Sequence, residues 1–416
     1  GAEKNLKAEI KDWDFDAVRS RARSLWDTAL AKMDVSGGTD EQKVIFYTSL
    51  YHTMIDPRIY TDVDGQYMGA DGKAHKSDTF TKRTIFSGWD VFRSQMPLQT
   101  IINPVLVNDL LKSLTTMAEE SGREYYERWE LLNAYSGCML GNPAISILAD
   151  AYAKGICSLD MEKAYRYADK TSRMFGNAEL GYTPNPQSIS KTLEYAYDDY
   201  CIAQAAKKLG KMEDYEYFLN RSLSYQNLID PETKYMRGRD FNGQWRTPFA
   251  PIAYQGPGSV HGWGDITEGF TMQYTWYVPH DVQGYINEAG RELFEARLDS
   301  LFVIEMDENI PGAHDIWGRI GGYWHGNEPC HQVTYLYNYL KRPWECQRWV
   351  RYVIDNFYGN EPGSLSGNDD CGQMSAWYIF NCMGFYPTAP SSNIYNIGSP
   401  ALAAVTMYLD NGKQVK

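Results

Sequence analysis

The sequence has no apolar run approaching the ~20 residues that cross a bilayer as a helix, so no stretch of it reads as membrane-spanning. It has no long cluster of Lys and Arg, and its net charge is −13. A strongly acidic chain without a basic stripe excludes nucleic acid as the expected partner. The 7 Cys include no pair at Cys-x-x-Cys spacing, which argues against a zinc site. Most of them lie in apolar, helix-like contexts, where a free thiol behaves as a small hydrophobe. Low-complexity linkers and strong internal repeats are also missing. Clear alternation of apolar and polar residues occurs only at 403–409, before Asp410-Asn411-Gly412, and reads as the start of a β segment over 401–416.

What remains is a large, aromatic, helical chain. With 416 residues it is far above the size needed for a substantial core, and 14% of it is aromatic, with 32 Tyr and 12 Trp. Such rings suit sugar faces and large cores equally. Apolar residues at helical spacing predict helices over 16–33, 42–54, 104–120, 143–155, 161–174, 192–209, 213–228, 286–302, 331–339, 343–358 and 373–382. Pro143 and Pro343 start two of them and Gly210 stops another. Helices in this number, joined by long loops rich in Gly, Pro and aromatics, would surround one axis and leave a cleft at the loop end. The loop 62–76 has the Asp62-x-Asp64-Gly65 pattern of a calcium loop, but the closing Glu is missing, so hairpin turns are expected there.

Chemistry concentrates in four loops. Gly367-Asn368-Asp369-Asp370-Cys371-Gly372 crowds two carboxylates and an Asn before an apolar helix. One Asp there is explained by helix capping, whereas a second implies something cationic or polar opposite. In 261–276, Glu268 stands among aromatics, an environment that raises a carboxyl pKa and suits a general acid, although an acid at a helix start fits the same position. His325-Gly326-Asn327-Glu328-Pro329-Cys330-His331-Gln332 is rich in oxygen donors and suits calcium; capping of the helix after Pro329 is the plainer reading. Phe86-Ser87-Gly88-Trp89-Asp90-Val91-Phe92-Arg93 reads either as a helix start with an ion pair or as a sugar platform. Glu268 and Asp370 on separate loops would form a glycosidase pair.

Taken together, Phe86 to Asp90, Thr192 to Asp199, Glu268-Gly269 through Trp276, Pro279-His280-Asp281, Gly326 to Pro329 and Gly367 to Trp377 resemble the catalytic domain of the calcium-dependent exo-α-mannosidases of glycoside hydrolase family 92. The resemblance runs in order over roughly 26–400. It implies an all-α (α/α)6 toroid over 1–400, preceded in family members by an N-terminal β-sandwich that the sequence does not contain. It implies inverting hydrolysis of terminal α-linked mannose from an N-glycan or mannan, with Glu268 as acid, Asp370 as base, and Asn368 or Asp369 at the neighbouring acid position. It further implies Ca2+ at Asn327, Glu328 and Gln332, sugar contacts from Trp89, Asp90, Glu194, His325 and Asn368, and a periplasmic or extracellular location. Many members carry His where Met96 stands and at or beside Pro143. That departure raises the expectation of a linkage other than α-1,2, or of a mannosyl-phosphate diester. A non-catalytic glycan-binding protein on this scaffold is the further alternative.

Overall fold

A computed structural model describes residues 1–176, 178–255, 264–306 and 317–416, and among these helices dominate. Pro104–Glu120 shows the local logic: Pro stands at its first position, and Leu106, Val107, Leu110, Leu111, Leu114 and Met117 form one buried face. Ser188–Leu209 is different, being buried along most of its length and closed by Gly210 at φ 77°. It packs against Pro143–Ala153, Met161–Met174 and Met212–Arg221. It therefore carries Glu194, Asp198 and Asp199 into the interior, where each needs a partner. Gln373–Met383 is likewise buried and packs on Asp40–His52, Gln95–Ile102 and Pro343–Phe357.

Several expected helices are shorter. The first ends at Leu30, and Met33–Ser36 forms a strand that pairs antiparallel with Ala404–Tyr408, Met33 facing Met407. The C-terminal alternation thus finds two partners, this strand and Gln414–Val415. Gly290, at φ 83°, divides the helix expected over 286–302 into Val282–Ala289 and Arg291–Leu301. The region 331–339 holds only short turns, Val333–Tyr335 and Leu336–Tyr339. Beyond Arg221 the chain tightens into the 3-10 turn Ser222–Leu228. Between 62 and 76 lies the expected hairpin, Gln66–Met68 paired with Ala74–Lys76. Gln95–Ile102 is a helix that the periodicity does not show; its Gln95 and Gln99 amides are buried and donate to the carbonyl of Thr53 at 3.0 and 2.9 Å.

Candidate active site

Three segments, each in or leading into a short turn or helix, bring three acids together. Asp90 lies in the single turn Gly88–Val91 and accepts from the Ser87 hydroxyl. The strand Phe86–Ser87 before it pairs with Trp129–Leu131. A Cβ on Gly88 would fall 2.3 Å from the Arg128 carbonyl oxygen, so only glycine permits this approach. Glu328 opens the 3-10 turn Glu328–Cys330. Asp370 and Cys371 both adopt left-handed backbone, φ 47° and 56°, followed by Gly372 at 91°. Non-glycine residues held there cost about 1–3 kcal/mol each, and such strain concentrates where a side chain must be aimed.

The two adjacent carboxylates divide their roles. Asp369 serves the helix start: its Oδ1 accepts the Ser375 backbone N–H at 3.1 Å and the Ser375 hydroxyl at 2.7 Å. Asp370 faces inward, and one carboxylate oxygen from each of Asp90, Glu328 and Asp370 lies within 4.8 Å of the others. Burial raises the carboxyl pKa of Asp90, and the charge of Asp370 adds to it. Burial likewise raises Glu328, followed by the charges of Asp370 and Asp90. Such a cluster is stable only with a proton or a cation in it.

Its donor set is hard. Besides the three carboxylates it includes Asn327 Oδ1, which is buried and has no hydrogen-bond partner among the described residues. The Asn327 amide turns the other way, donating to the Glu268 carbonyl and to Gln273 Oε1, both at 3.4 Å. Oxygen donors without imidazole or thiolate fit calcium or magnesium better than zinc. Gln332, expected at the metal, donates its amide nitrogen to the Pro329 carbonyl at 2.8 Å, which leaves its Oε1 uncommitted by that bond. Asp90, expected at the sugar, belongs to the trio.

Glu268 stands outside the trio, half-buried in the loop before Thr271–Tyr274, and its charge contributes to the shift at Asp90. His261 to Trp263, the start of that segment, lie outside the described residues. Asn368 is exposed and lines a cavity with Arg319 and Tyr358.

Three residues expected at the sugar are held by protein partners. The Trp89 indole N–H donates to Glu194 Oε1 at 3.1 Å, as do Arg93 Nη2 at 3.2 Å and the Tyr274 hydroxyl at 2.7 Å. The Arg93 guanidinium lies over the rings of Trp89, Phe92 and Tyr277. His325 is fully buried with Tyr323 on Nδ1 and Tyr358 on Nε2. Since the Tyr358 hydroxyl donates to the Met374 carbonyl, His325 donates from Nε2 and accepts at Nδ1. His331 accepts from the Gln373 amide at Nδ1 and donates from Nε2 to the His325 carbonyl, both at 3.0 Å. Burial lowers the pKa of both rings, His331 to about 3, and both are neutral braces.

Tyr274, His331 and Gln373 are therefore parts of the site to which local sequence reading gives no role, and Arg93, read there as part of an ion pair or a sugar platform, pairs with Glu194. Their signal was weak, a polar residue inside an otherwise apolar helical stretch.

The sequence profile of the glycosyl hydrolase family 92 catalytic domain matches residues 1–416. The structure is similar to that of a family GH92 α-mannosidase from Bacteroides thetaiotaomicron in complex with mannoimidazole, at a TM-score of 0.96 and 55% identity over 100% of this chain and 55% of that one. It is also similar to a family GH92 inverting mannosidase from Bacteroides thetaiotaomicron VPI-5482, at 0.86 and 34% over 99% of this chain and 58% of that one. An uncharacterized secreted glycosidase of Arthroderma benhamiae is 27% identical over 97% of this chain and 51% of that protein. The chain thus spans about half the length of these relatives. With a profile matched along its whole length and an acid cluster on loops that the profile spans, the chain belongs to glycosyl hydrolase family 92, as its catalytic domain.

Proposed function

We propose that this chain carries the active site of an exo-acting α-mannosidase that hydrolyses terminal α-linked mannose with inversion, assisted by calcium. The observation that carries the reading is the Asp90, Glu328 and Asp370 trio, with the buried Asn327 Oδ1, which has no partner among the described residues, beside it and Glu268 outside it. Glu268 donates its proton to the departing glycosidic oxygen. Asp370 takes a proton from the attacking water on the opposite face of the sugar, the arrangement inverting glycosidases require. Asp90, Glu328 and Asn327 would hold the ion. When bound, Ca2+ supplies positive charge to neighbouring sugar hydroxyls and favours an oxocarbenium-like ring. Asp369 keeps the Asp370 turn fixed through Ser375, while Trp89, Glu194 and His325 support the walls from behind. Asn368 stands at the exposed rim, where sugar can reach it.

In this reading residues 1–400 form an (α/α)6 toroid, 401–416 begin a further β segment, and an N-terminal β-sandwich is the partner domain. N-glycan or mannan is the substrate class, and the periplasm or the extracellular space is the compartment, where calcium is abundant. Proton NMR of an α-mannoside digest tests it. Initial release of β-mannose, lost with EDTA and restored by calcium, is expected. Initial α-mannose, or turnover indifferent to EDTA, would overturn the mechanism.

A further inference from the structure

Beside the acid centre lies a groove of opposite charge. A cavity of about 890 Å3 is lined by Arg128, Cys138, Lys191, Tyr195, Phe241 and Thr267 among others. Thr267 immediately precedes Glu268, and the Cys138 thiol, raised chiefly by burial, also feels the charges of Asp90 and Glu268. The groove thus runs along the Glu268 side of the centre. It continues into a second cavity of about 300 Å3 through the shared Gly176, Thr183 and Tyr195.

Two cations, Arg128 and Lys191, stand in it. Arg128 is fixed by donating Nε to the Tyr135 hydroxyl at 2.9 Å and Nη1 to the Met139 carbonyl at 2.8 Å. Lys191, in the first turn of Ser188–Leu209, makes only a 3.5 Å contact to the Pro186 carbonyl. Among the described residues neither forms an ion pair. Glu127, next to Arg128 in the chain, pairs with Arg123 and feels the Arg128 charge only at longer range. The pKa of Lys191 is lowered by burial and then by the charge of Arg128. In a chain of net charge −13, holding two half-buried cations together with no carboxylate paired to either among the described residues is unfavourable unless an anion enters. Tyr195 and the exposed Phe241 ring offer flat faces to a sugar.

We propose that this groove is the leaving-group subsite and that Arg128 and Lys191 make it selective for an aglycone sugar bearing an anionic substituent, a phosphate or a carboxylate. The proposal rests on the α-mannosidase reading. Glu268 serves a sugar oxygen at the scissile bond, so the anion lies beyond that oxygen, on the departing sugar.

The test uses α-mannosides with three aglycones of equal size: a neutral sugar, the same sugar as its 6-phosphate, and the corresponding uronate. The ratio of kcat/KM for the acidic probes to that for the neutral probe is measured in the unaltered protein, in Lys191→Glu and in Lys191→Arg. The expected ratio exceeds one, falls at least tenfold in Lys191→Glu, chiefly through KM, and is kept in Lys191→Arg. It also falls with added salt. A gain confined to the phosphate or to the uronate probe identifies which anion is taken. A ratio below one, or one unmoved in Lys191→Glu, overturns the subsite. If no probe releases mannose, the activity reading fails, and calorimetry with mannose 6-phosphate decides the subsite separately. Tighter binding to the unaltered protein than to Lys191→Glu upholds it, and equal or absent binding rejects it.

Discussion

Arg93 and Glu194 form an ion pair at 3.2 Å with side chains only 4% and 1% exposed. The carboxylate oxygen that meets Arg93 also accepts from Trp89 and Tyr274. Removing one partner from such a pair leaves the other buried and charged, which costs about 3–5 kcal/mol. Glu194→Ala is therefore expected to lower the thermal midpoint sharply, and Glu194→Gln, which keeps an acceptor, less so. Midpoints of the two variants within experimental error of the parent would contradict the assignment.

The trio Asp90, Glu328 and Asp370 should respond to metal before any substrate is present. Calcium at a hundred times its Kd is expected to stabilise the folded chain by ~2.7 kcal/mol, read as a rise in thermal midpoint that EDTA reverses. Asp90→Asn, which removes one charge from the trio, should shrink that rise. Magnesium, which demands tighter geometry, should give less. A calcium response undiminished in Asp90→Asn would place the ion elsewhere.

Asp369 and Asp370 should separate in mutagenesis. Asp370→Asn is expected to lose about 100- to 10,000-fold in kcat, the range of a removed general base, while folding normally. Asp369→Asn weakens the helix-start bonds to Ser375 and should cost about 1 kcal/mol of stability, with a smaller loss of turnover. Equal effects on turnover and stability in both variants would refute the division.

Asp199 offers a pH test away from the acid trio. Burial raises its pKa to about 6 even though Arg221 pairs with it at 3.0 Å. The folded state then binds a proton that the unfolded state has released, so the group's contribution is complete below about 4 and disappears as pH rises through about 6. The thermal midpoint should lose this contribution over that interval, and Asp199→Asn should flatten the slope. A parent slope unchanged in the variant would show that another group titrates.

The parts legible in the sequence are those set by local rules. Pro104–Glu120 and Met161–Met174 have the bounds their apolar spacing and flanking residues predict. The hairpin at Gln66–Met68 follows from its Gly-Asp turns. Gln95–Ile102 was hidden because its buried glutamines look exposed until the Thr53 carbonyl beside them is known. Asp90 was legible as functional, but its place with Glu328 and Asp370 was not, because a long-range meeting of loops leaves no periodic trace. Trp89 reads as an open platform from its neighbours, yet the Arg93 guanidinium covers it and Glu194 holds its N–H.

The hydrogen bonds that join Gln373 to His331, His331 to His325, and His325 through Tyr358 to Met374 close into a circuit through the Gln373–Met374 peptide bond, with Ser94 donating to Gln373 from its side. Each hydroxyl, amide and ring nitrogen on it is committed to one direction, so turning any member breaks the next. The loops bearing Glu328 and Asp370 therefore cannot drift apart on their own. A ligand arriving there meets walls already ordered, and little of its binding free energy is lost to freezing them. On that footing, the entropy of association in this centre is set by the ligand and not by the walls that receive it.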